Sequence, residues 1–540
     1  YCYTTYHATK HHSSEKMLSW EGKTEKGTVL ILWSGTYRIG SSVEFDWCSV
    51  SAIHALKEMG YKTIMLNYNP ETVSTDYDIP DTLYFDEISI ELIHTIIDRE
   101  KPIGVIISMG WQRANTLALE LKKLWIRVLG TDPSYIDRAE DRHKFSSLLD
   151  TLGVDQPYWA ELTHLHAALA LAEQYGYPVI IRPSYVLSGA NMRLCRDEEQ
   201  LIRFLERAHI SEEYPTVISK FEVGAKEIEI DGVAQDGVLK IYALSEHIEN
   251  AGIHSWDATV IFPAQTLHIE TIRRVKRIAK QIAAALHITW PFNIQFLARN
   301  DMIKVIECNL RASRSFPFIS KVSGYNTIAL ATRAIMGEDI TGEYAMLDLD
   351  HVGVKASQFS FHRLQWADPK LGIEMASTWE VWCIWENLYD ALLLACESVG
   401  IKPTWDKILI TLGSIEEKAE FLSAAHTLIS LGYTLYTTEW TGKIFAEDGI
   451  PSVHVSKVHE PWENNILDLI DQRVFSLVIN TPSHNFREEE GSGYMIRTRS
   501  VMRKIPLIVN VKLAKLFVKA LAASREHSTA LASYQEFFMK

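Results

Sequence analysis

One stretch constrains the fold more than any other: Pro291-Phe-Asn-Ile-Gln-Phe-Leu-Ala-Arg-Asn-Asp-Met-Ile-Lys-Val-Ile-Glu-Cys-Asn-Leu-Arg-Ala-Ser-Arg314. It reads as two strands around a tight turn near Asn300-Asp301. Pairing about that turn sets Gln295 opposite Glu307 and Asn293 opposite Asn309. Glu307, Asn309 and Arg311 are two residues apart, so they share a strand face. One patch then holds a carboxylate, two or three amide oxygens and a guanidinium. Oxygen ligands of that kind suit Mg²⁺, which takes few protein groups and is completed by phosphate oxygens. Arginine neutralises phosphate charge. The plain alternative is a surface hairpin with solvated polar groups. Beside apolar Val305 and Ile306, however, such groups are costly to bury without a partner. The pattern predicts nucleotide-dependent phosphoryl chemistry.

The rest of the chain bounds that expectation. At 540 residues it exceeds one domain, and three or four are expected. The apolar share of 47% and charged share of 23% are those of globular protein. A net charge of −14 argues against nucleic acid or an anionic membrane as partner. Apolar runs such as Ile282–Leu286 and Ala391–Cys396 are far too short to span a bilayer. Cys2, Cys48, Cys195, Cys308, Cys383 and Cys396 form no Cys-x-x-Cys pair, which suits a reducing compartment and argues against structural zinc. The first residues show neither a secretory apolar region nor a clear transit peptide. The chain opens at Tyr1 and reads as a fragment of something longer.

Along the chain, residues 1–26 read as a polar linker. Residues 27–139 alternate buried strands (Thr28–Leu32, Lys62–Leu66, Ile103–Ser108) with helices (Ser49–Met59, Ser89–Asp98, Asn115–Leu124), a βαβ pattern and hence a parallel sheet. Residues 140–340 mix helices Asp141–Leu152, Glu198–Ala208 and Glu270–Leu286 with hairpin pairs such as Glu227–Val233 and Leu239–Ser245, an α+β unit. Residues 341–402 predict a helical connector. Residues 403–540 return to βαβ, and a small doubly wound domain fits. The fold class is therefore α/β overall.

Four further motifs carry chemistry. Val179–Arg182 reads as a buried strand opening into a loop with Ser188 and Gly189, where small residues let backbone N–H groups approach phosphate. Arg182 could sit on a phosphate oxygen, or on an ordinary surface loop. No GxxxxGK[ST] motif is present, which disfavours a Walker-type nucleotidase. In Lys220–Asp231, Glu227, Glu229 and Asp231 share parity. A solvated edge strand explains that acidic face, as does Glu227 accepting from ribose hydroxyls. His254, in Glu249–Asp257, is either a structural hydrogen-bonded residue or a catalyst. Leu32–Gly40 sits where a dinucleotide loop would, but it fails GxGxxG, with Trp33 at the first glycine position.

Six blocks in order resemble the C-terminal half of the carbamoyl-phosphate synthase large chain, eukaryotic type: Arg38–Asp46, Asn67–Tyr77, Asp137–Arg142, Arg182–Gly189, Ser245–Gly252 and Glu307–Phe318. The resemblance covers nearly the whole chain. It implies a Rossmann-like pre-ATP-grasp domain over 27–139, an ATP-grasp domain over 140–340, and a methylglyoxal-synthase-like regulatory domain over 403–540. It implies an ATP-dependent ligase that phosphorylates carbamate, derived from bicarbonate, to carbamoyl phosphate for pyrimidine or arginine and urea synthesis. Matching positions make Arg182, Lys220, Glu222, Glu227, Gly252, Ile253, His254, Ser255, Gln295 and Glu307 the ATP contacts. Gln295, Glu307 and Asn309 become ligands of Mg²⁺ or Mn²⁺, with Arg311 and Arg314 facing the transferred phosphate and Asn309 beside them. Positioning and charge neutralisation then suffice, without a covalent nucleophile. Implied partners are an N-terminal synthetase half, a glutaminase subunit or domain, and an allosteric effector at Thr438, Thr441, Lys457 and Asn480, in an oligomer of the cytoplasm or mitochondrial matrix. The alternatives are another ATP-grasp ligase, which the C-terminal domain speaks against, and a regulatory or oligomerisation module that has lost turnover.

Trp33, Trp111, Trp256, Trp290, Trp366, Trp379, Trp385 and Trp440 stand where the resembled family has glycine. Glycine at such places usually supplies positive φ or close backbone approach. Each replacement is expected to cost about 1–3 kcal/mol in backbone strain. Either this half is damaged, or a glycine codon has been read as tryptophan. In the effector region Lys457 and Ser483 depart from the acetylglutamate-activated pattern, so the effector stays open.

Overall fold

The protein is described here by a computed structural model. It describes the chain except residues 1, 4–11, 14–25, 34–42, 163–164, 184–191, 208–215, 301, 341, 343, 345, 347, 365, 459–464, 483–490, 525–531 and 539–540. The loop residues Ser188 and Gly189, the start of the Arg38–Asp46 block, Ser483 and most of the 1–26 segment therefore lie outside the described residues. The chain forms two compact units: Tyr1–Val186 with Asn191–Glu246 and Phe262–Leu349, and Leu187–Ala190 with His247–Ile261 and Asp350–Lys540.

The first unit opens with a parallel sheet. Thr28–Leu32 lies between Lys62–Leu66 and Gly104–Ile106, and Lys62–Leu66 also pairs with Thr82–Tyr84. Val29, Leu30, Ile31 and Leu32 are all fully buried, as a strand covered on both faces requires. Residues 2–3 and 12–13, expected within a linker, form short strands at its far edge. The helix expected over Asn115–Leu124 is instead two, Trp111–Thr116 and Ala118–Lys123. Thr116 bonds back to the Arg113 carbonyl at 2.8 Å, which competes with helix continuation. Ser89 and Asp141 cap the helices that follow them, each accepting a backbone N–H with its side chain.

Beyond residue 140 the same unit holds a small sheet, ordered Trp159–Leu162, Thr216–Lys220, Val179–Pro183, Arg193–Cys195, and an antiparallel run of Met302–Asn309, Trp290–Arg299 and Lys226–Gln235. Ile228, Ile230, Phe292, Ile294 and Phe296 are fully buried. Their parity alternates with that of Glu227, Glu229, Asp231, Asn293 and Gln295, so one face is core and the other carries polar groups. The helix Ile269–Ala285 turns Val275, Ile278, Ala279, Ile282 and Ala283 inward at helical spacing.

The second unit corrects the helical connector. Val352–Gln358 pairs antiparallel with Trp379–Trp385, and a helix, Leu388–Ser398, follows only afterwards. β-Branched residues such as Val352, Val354, Val381 and Ile384 lose side-chain freedom in a helix and pack well on a pleated surface. The C-terminal parallel sheet runs Val453–His454, Thr434–Thr437, Lys407–Thr411, Leu477–Asn480, Leu507–Ile508. Helices there include Glu439–Glu447 and Ser492–Met502. The latter buries Ile496, Arg497, Thr498 and Ser500, a mostly polar set with no apolar stripe to betray it.

Among the described residues no helix is long and apolar enough to cross a membrane. Three tryptophans, Trp111, Trp125 and Trp366, adopt left-handed backbone at φ 57°, 60° and 68°. Trp33 and Trp290 are fully buried, and their indole N–H groups find no hydrogen-bond partner among the described residues.

Candidate functional site

The hairpin pairs as its parity demands: Gln295 faces Glu307 and Asn293 faces Asn309. Asn300, in the turn, takes left-handed backbone at φ 53°. A bulge follows Gln295, where the partner of Phe296 is Val305 rather than Ile306. The carbonyl of Ile306, freed from the ladder, accepts from Arg142 Nη1 at 3.0 Å, and Arg142 Nη2 reaches Glu307 Oε2 at 2.9 Å. The bulge thus places one arginine against the central carboxylate.

Glu307, Asn309 and Arg311 form one hydrogen-bonded row. Asn309 Nδ2 donates to Glu307 Oε1 at 3.0 Å, and Arg311 Nη2 donates to Asn309 Oδ1 at 3.2 Å. Burial pulls the Glu307 carboxyl up, but Arg142 and Arg182, with Asn309 and Arg311, outweigh it and hold it below the usual range. Arg182 is the converse: burial, aided by Arg142, brings its guanidinium down to about 9 against the pull of Glu307 and Glu227. Its Nε is buried with no hydrogen-bond partner among the described residues. A buried, unpartnered guanidinium N–H beside an ionised carboxylate is what an anionic ligand would complete.

Beside this row lies an acidic strand face. Asn293 Nδ2 donates to Glu229 Oε2 at 3.2 Å and to Asp231 Oδ1 at 3.0 Å, while Gln295 Nε2 lies 3.5 Å from Glu229 Oε1. The hydroxyl of Ser315 donates to Asp231 Oδ2 at 2.8 Å, and Ser313 donates to Oδ1 at 2.5 Å. Burial, then the Glu229 charge, pushes the Asp231 carboxyl up to about 7. Asp231, Ser313 and Ser315 were not among the expected site residues; their only signal was parity with Glu227 and proximity to Arg311 and Arg314.

The other expected residues divide. Lys304 pairs with Glu222 and lies over the Tyr158 ring, and Lys220 Nζ donates to the Gly176 and Tyr177 carbonyls at 3.0 and 2.9 Å. Glu227 is buried. Arg314 is buried too, with its Nε 3.4 Å from Glu44 Oε2. Gly252, Ile253, His254 and Ser255 belong to the second unit. There His254 N donates to the Gly372 carbonyl at 2.7 Å, and Lys355 Nζ donates to the Ser255 carbonyl at 3.0 Å. Asp257 accepts from the backbone N–H groups of Ala376 and Ser377, both at 2.9 Å. The 252–257 loop is thereby strapped by the 355–377 segment.

At the C-terminal ends of the second unit's parallel strands lie Thr411, Thr438 and Asn480. Asn480 Nδ2 donates to Thr411 Oγ1 at 2.6 Å, and its Oδ1 accepts from Arg497 Nη1 at 2.9 Å. Arg497 forks onto Asp368 at 2.7 and 2.6 Å. Thr438 starts a helix without a side-chain cap bond, and Thr441 is buried and accepts from Leu412 N at 3.4 Å. Lys457 is half-buried.

Comparison with known proteins agrees on family. "Carbamoyl phosphate synthase preATP-grasp domain" matches residues 25–138, "Carbamoyl-phosphate synthase L chain, ATP binding domain" residues 141–342, and "MGS-like domain" residues 420–509. The chain is 46% identical to multifunctional protein ura1 of Schizosaccharomyces pombe over all of this chain and 24% of that protein. It is 45% identical to the carbamoyl phosphate synthase arginine-specific large chain of Cutaneotrichosporon cutaneum, over 96% of this chain and 44% of the relative. It therefore spans less than half of either relative's length. Among solved structures, the biotin carboxylase domain of Hydrogenobacter thermophilus 2-oxoglutarate carboxylase, in complex with MgADP and bicarbonate, superposes with TM-score 0.54 at 18% identity. That likeness covers 69% of this chain and 90% of the other, and it speaks to the ATP-grasp fold alone.

Proposed function

This chain belongs to the carbamoyl-phosphate synthase large-chain family, and from that premise we propose that it phosphorylates carbamate with ATP, giving carbamoyl phosphate and ADP. The observation that carries the reading is the row Glu307–Asn309–Arg311, with its carboxylate held ionised beside the unpartnered Arg182 Nε. A hard-oxygen donor set of one carboxylate and two amides fits Mg²⁺ or Mn²⁺. Gln295, Glu307 and Asn309 would hold that cation, which supplies charge neutralisation between phosphate groups. Asn309 Oδ1 has a second lone pair beyond the one engaged by Arg311.

The residues then divide the work. Arg182 meets the nucleotide phosphates, and Lys220, Glu222 and Glu227 line the nucleoside side. Arg311 faces the phosphoryl group in flight, where charge spreads over the equatorial oxygens. Arg314 stands behind it, tied to Glu44. The carbamate oxygen attacks directly, so the protein's contribution is alignment and electrostatics. The product feeds pyrimidine or arginine synthesis. A bicarbonate-phosphorylating half and a glutaminase belong to the working assembly, and an anionic effector takes Thr438, Thr441, Lys457 and Asn480.

Formation of ATP from MgADP and carbamoyl phosphate tests the reading. The chain is expected to make ATP, and Glu307→Ala and Gln295→Ala to lower the rate by about 10³-fold or more, on the scale of lost transition-state electrostatics. Normal turnover in both variants would refute the site. Binding of MgATP with no turnover in the unaltered chain would leave a module that kept the fold and lost the reaction.

A further inference from the structure

Among the described residues Arg311 makes no ion pair with a carboxylate, and hydrogen bonds aim it. Its Nη1 donates to the Ala312 carbonyl at 3.1 Å and its Nη2 to Asn309. Its Nε donates to Gln112 Oε1 at 3.2 Å. Gln112 is separated from it by 199 positions in sequence. It lies in the region matched as the pre-ATP-grasp domain, whereas Arg311 lies in the region matched as the ATP-binding domain.

An amide is ambiguous: either end can turn toward a guanidinium, and only the oxygen end attracts it. Glu140 removes the ambiguity. Gln112 Nε2 donates to Glu140 Oε2 at 2.7 Å, and Asn115 Nδ2 donates to Glu140 Oε1 at 2.9 Å. A carboxylate only accepts, so both amides must present nitrogen to it. Gln112 is then left with its oxygen toward Arg311. Gln112 and Asn115 are three residues apart and share one face of the helix Trp111–Thr116. The start of that helix is pinned. A Cβ on Gly110 would lie 2.3 Å from the Leu32 carbonyl oxygen, and Trp111 holds left-handed backbone at φ 57°. Asn115 also donates to the Leu310 carbonyl at 3.3 Å, which ties the same helix to the strand end that carries Arg311.

We propose that Gln112, oriented by Glu140, is a positioning residue for Arg311, through which the first domain sets the direction of the arginine facing the phosphoryl group. The proposal rests on the function proposed above for Arg311 and adds the residues that aim it. Three of the five guanidinium N–H groups are spent on Gln112, Asn309 and Ala312, which leaves one on Nη1 and one on Nη2 for a ligand. Without Gln112 the planar fork can rotate about its last torsion, and the remaining donors lose alignment.

The test uses the whole chain and two readouts. In ATP formation from MgADP and carbamoyl phosphate, Gln112→Leu is expected to lower kcat about tenfold with KM for MgADP unchanged. Glu140→Gln, which can donate to Gln112 and reverse its amide, is expected to do the same. In an Arg311→Lys background, which lacks the Nε donor, Gln112→Leu should add less than about twofold. The second readout is calorimetric binding of inorganic phosphate to the MgADP-loaded chain. Gln112→Leu should weaken it about tenfold in the unaltered background and hardly at all beside Arg311→Lys. Equal, additive losses in both backgrounds would overturn the proposal, as would an unaltered kcat in Glu140→Gln. Should the unaltered chain make no ATP, the reaction assignment fails, and the phosphate titration still decides whether Gln112 acts through Arg311.

Discussion

Two polar clusters in this chain obey opposite rules. Around Asn480 each partner satisfies the next: Thr411, Asn480, Arg497 and Asp368 form a closed chain of bonds at 2.6 to 2.9 Å. Around Glu307 the network is charged and left open, with Arg182 Nε buried and unbonded among the described residues. A closed cluster stabilises the fold whether or not a ligand comes. An open one costs folding energy until something anionic arrives. The second pattern is the one proposed above for the reaction, and at the first any ligand has to displace an existing partner.

The sharpest way to break that contrast is Arg497→Ala. It strands Asp368 and the Asn480 oxygen, and removing one member of a largely buried pair is expected to cost about 3 kcal/mol. Thermal unfolding without ligands measures it, and a loss under about 1 kcal/mol would mean the cluster is not closed in solution. Next comes pH. The Asp231 carboxyl stands at about 7 against an ordinary 3.8, so the folded chain holds that proton more tightly than the unfolded one. Its contribution is therefore full below about pH 4 and is lost as pH rises toward 7. Asp231→Asn should flatten the fall in unfolding free energy between pH 5 and 7.5 by about 2 kcal/mol. Parallel curves would place Asp231 at an ordinary value.

Arg182→Met sharpens the open side. It should leave nucleotide-free stability within about 1 kcal/mol, yet remove about 1.4 kcal/mol of the stabilisation gained from saturating MgATP, a tenfold loss of affinity. An equal response to MgATP would detach Arg182 from the nucleotide. The smallest effect concerns the tryptophans. Trp125 is 95% exposed at φ 60°, so its side chain packs against little and its backbone is strained. Trp125→Gly should stabilise by about 1 kcal/mol. Intact peptide masses covering Trp111 and Trp125 would show whether the strain is real or whether glycine stands there already.

How much of this was legible depended on range. The hairpin register was readable because a tight turn and two-residue parity leave few ways to pair Gln295 with Glu307. The bulge at Ile306 was not, since it is settled by Arg142, 164 positions away. Gln112 and Glu140 were invisible for the same reason: nothing local distinguishes them. The connector's strands carry little local signal, because they pair with each other only across a long loop. Arg497 hid on a helix whose buried face is polar. Glycine-like backbone was foreseen at Trp111 and Trp366 and found there, but Trp33, Trp256, Trp290, Trp379, Trp385 and Trp440 do not adopt it, and Trp125 was missed.

The central claim is that Gln295, Glu307 and Asn309 of this hairpin would hold a divalent cation that neutralises phosphate charge. Anomalous diffraction from crystals of the chain grown with MnADP tests it most directly. The account predicts one strong manganese peak within about 2.3 Å of oxygens from Gln295, Glu307 and Asn309. A peak held instead by Glu229 and Asp231, or no protein ligand from the Met302–Asn309 strand, would contradict it.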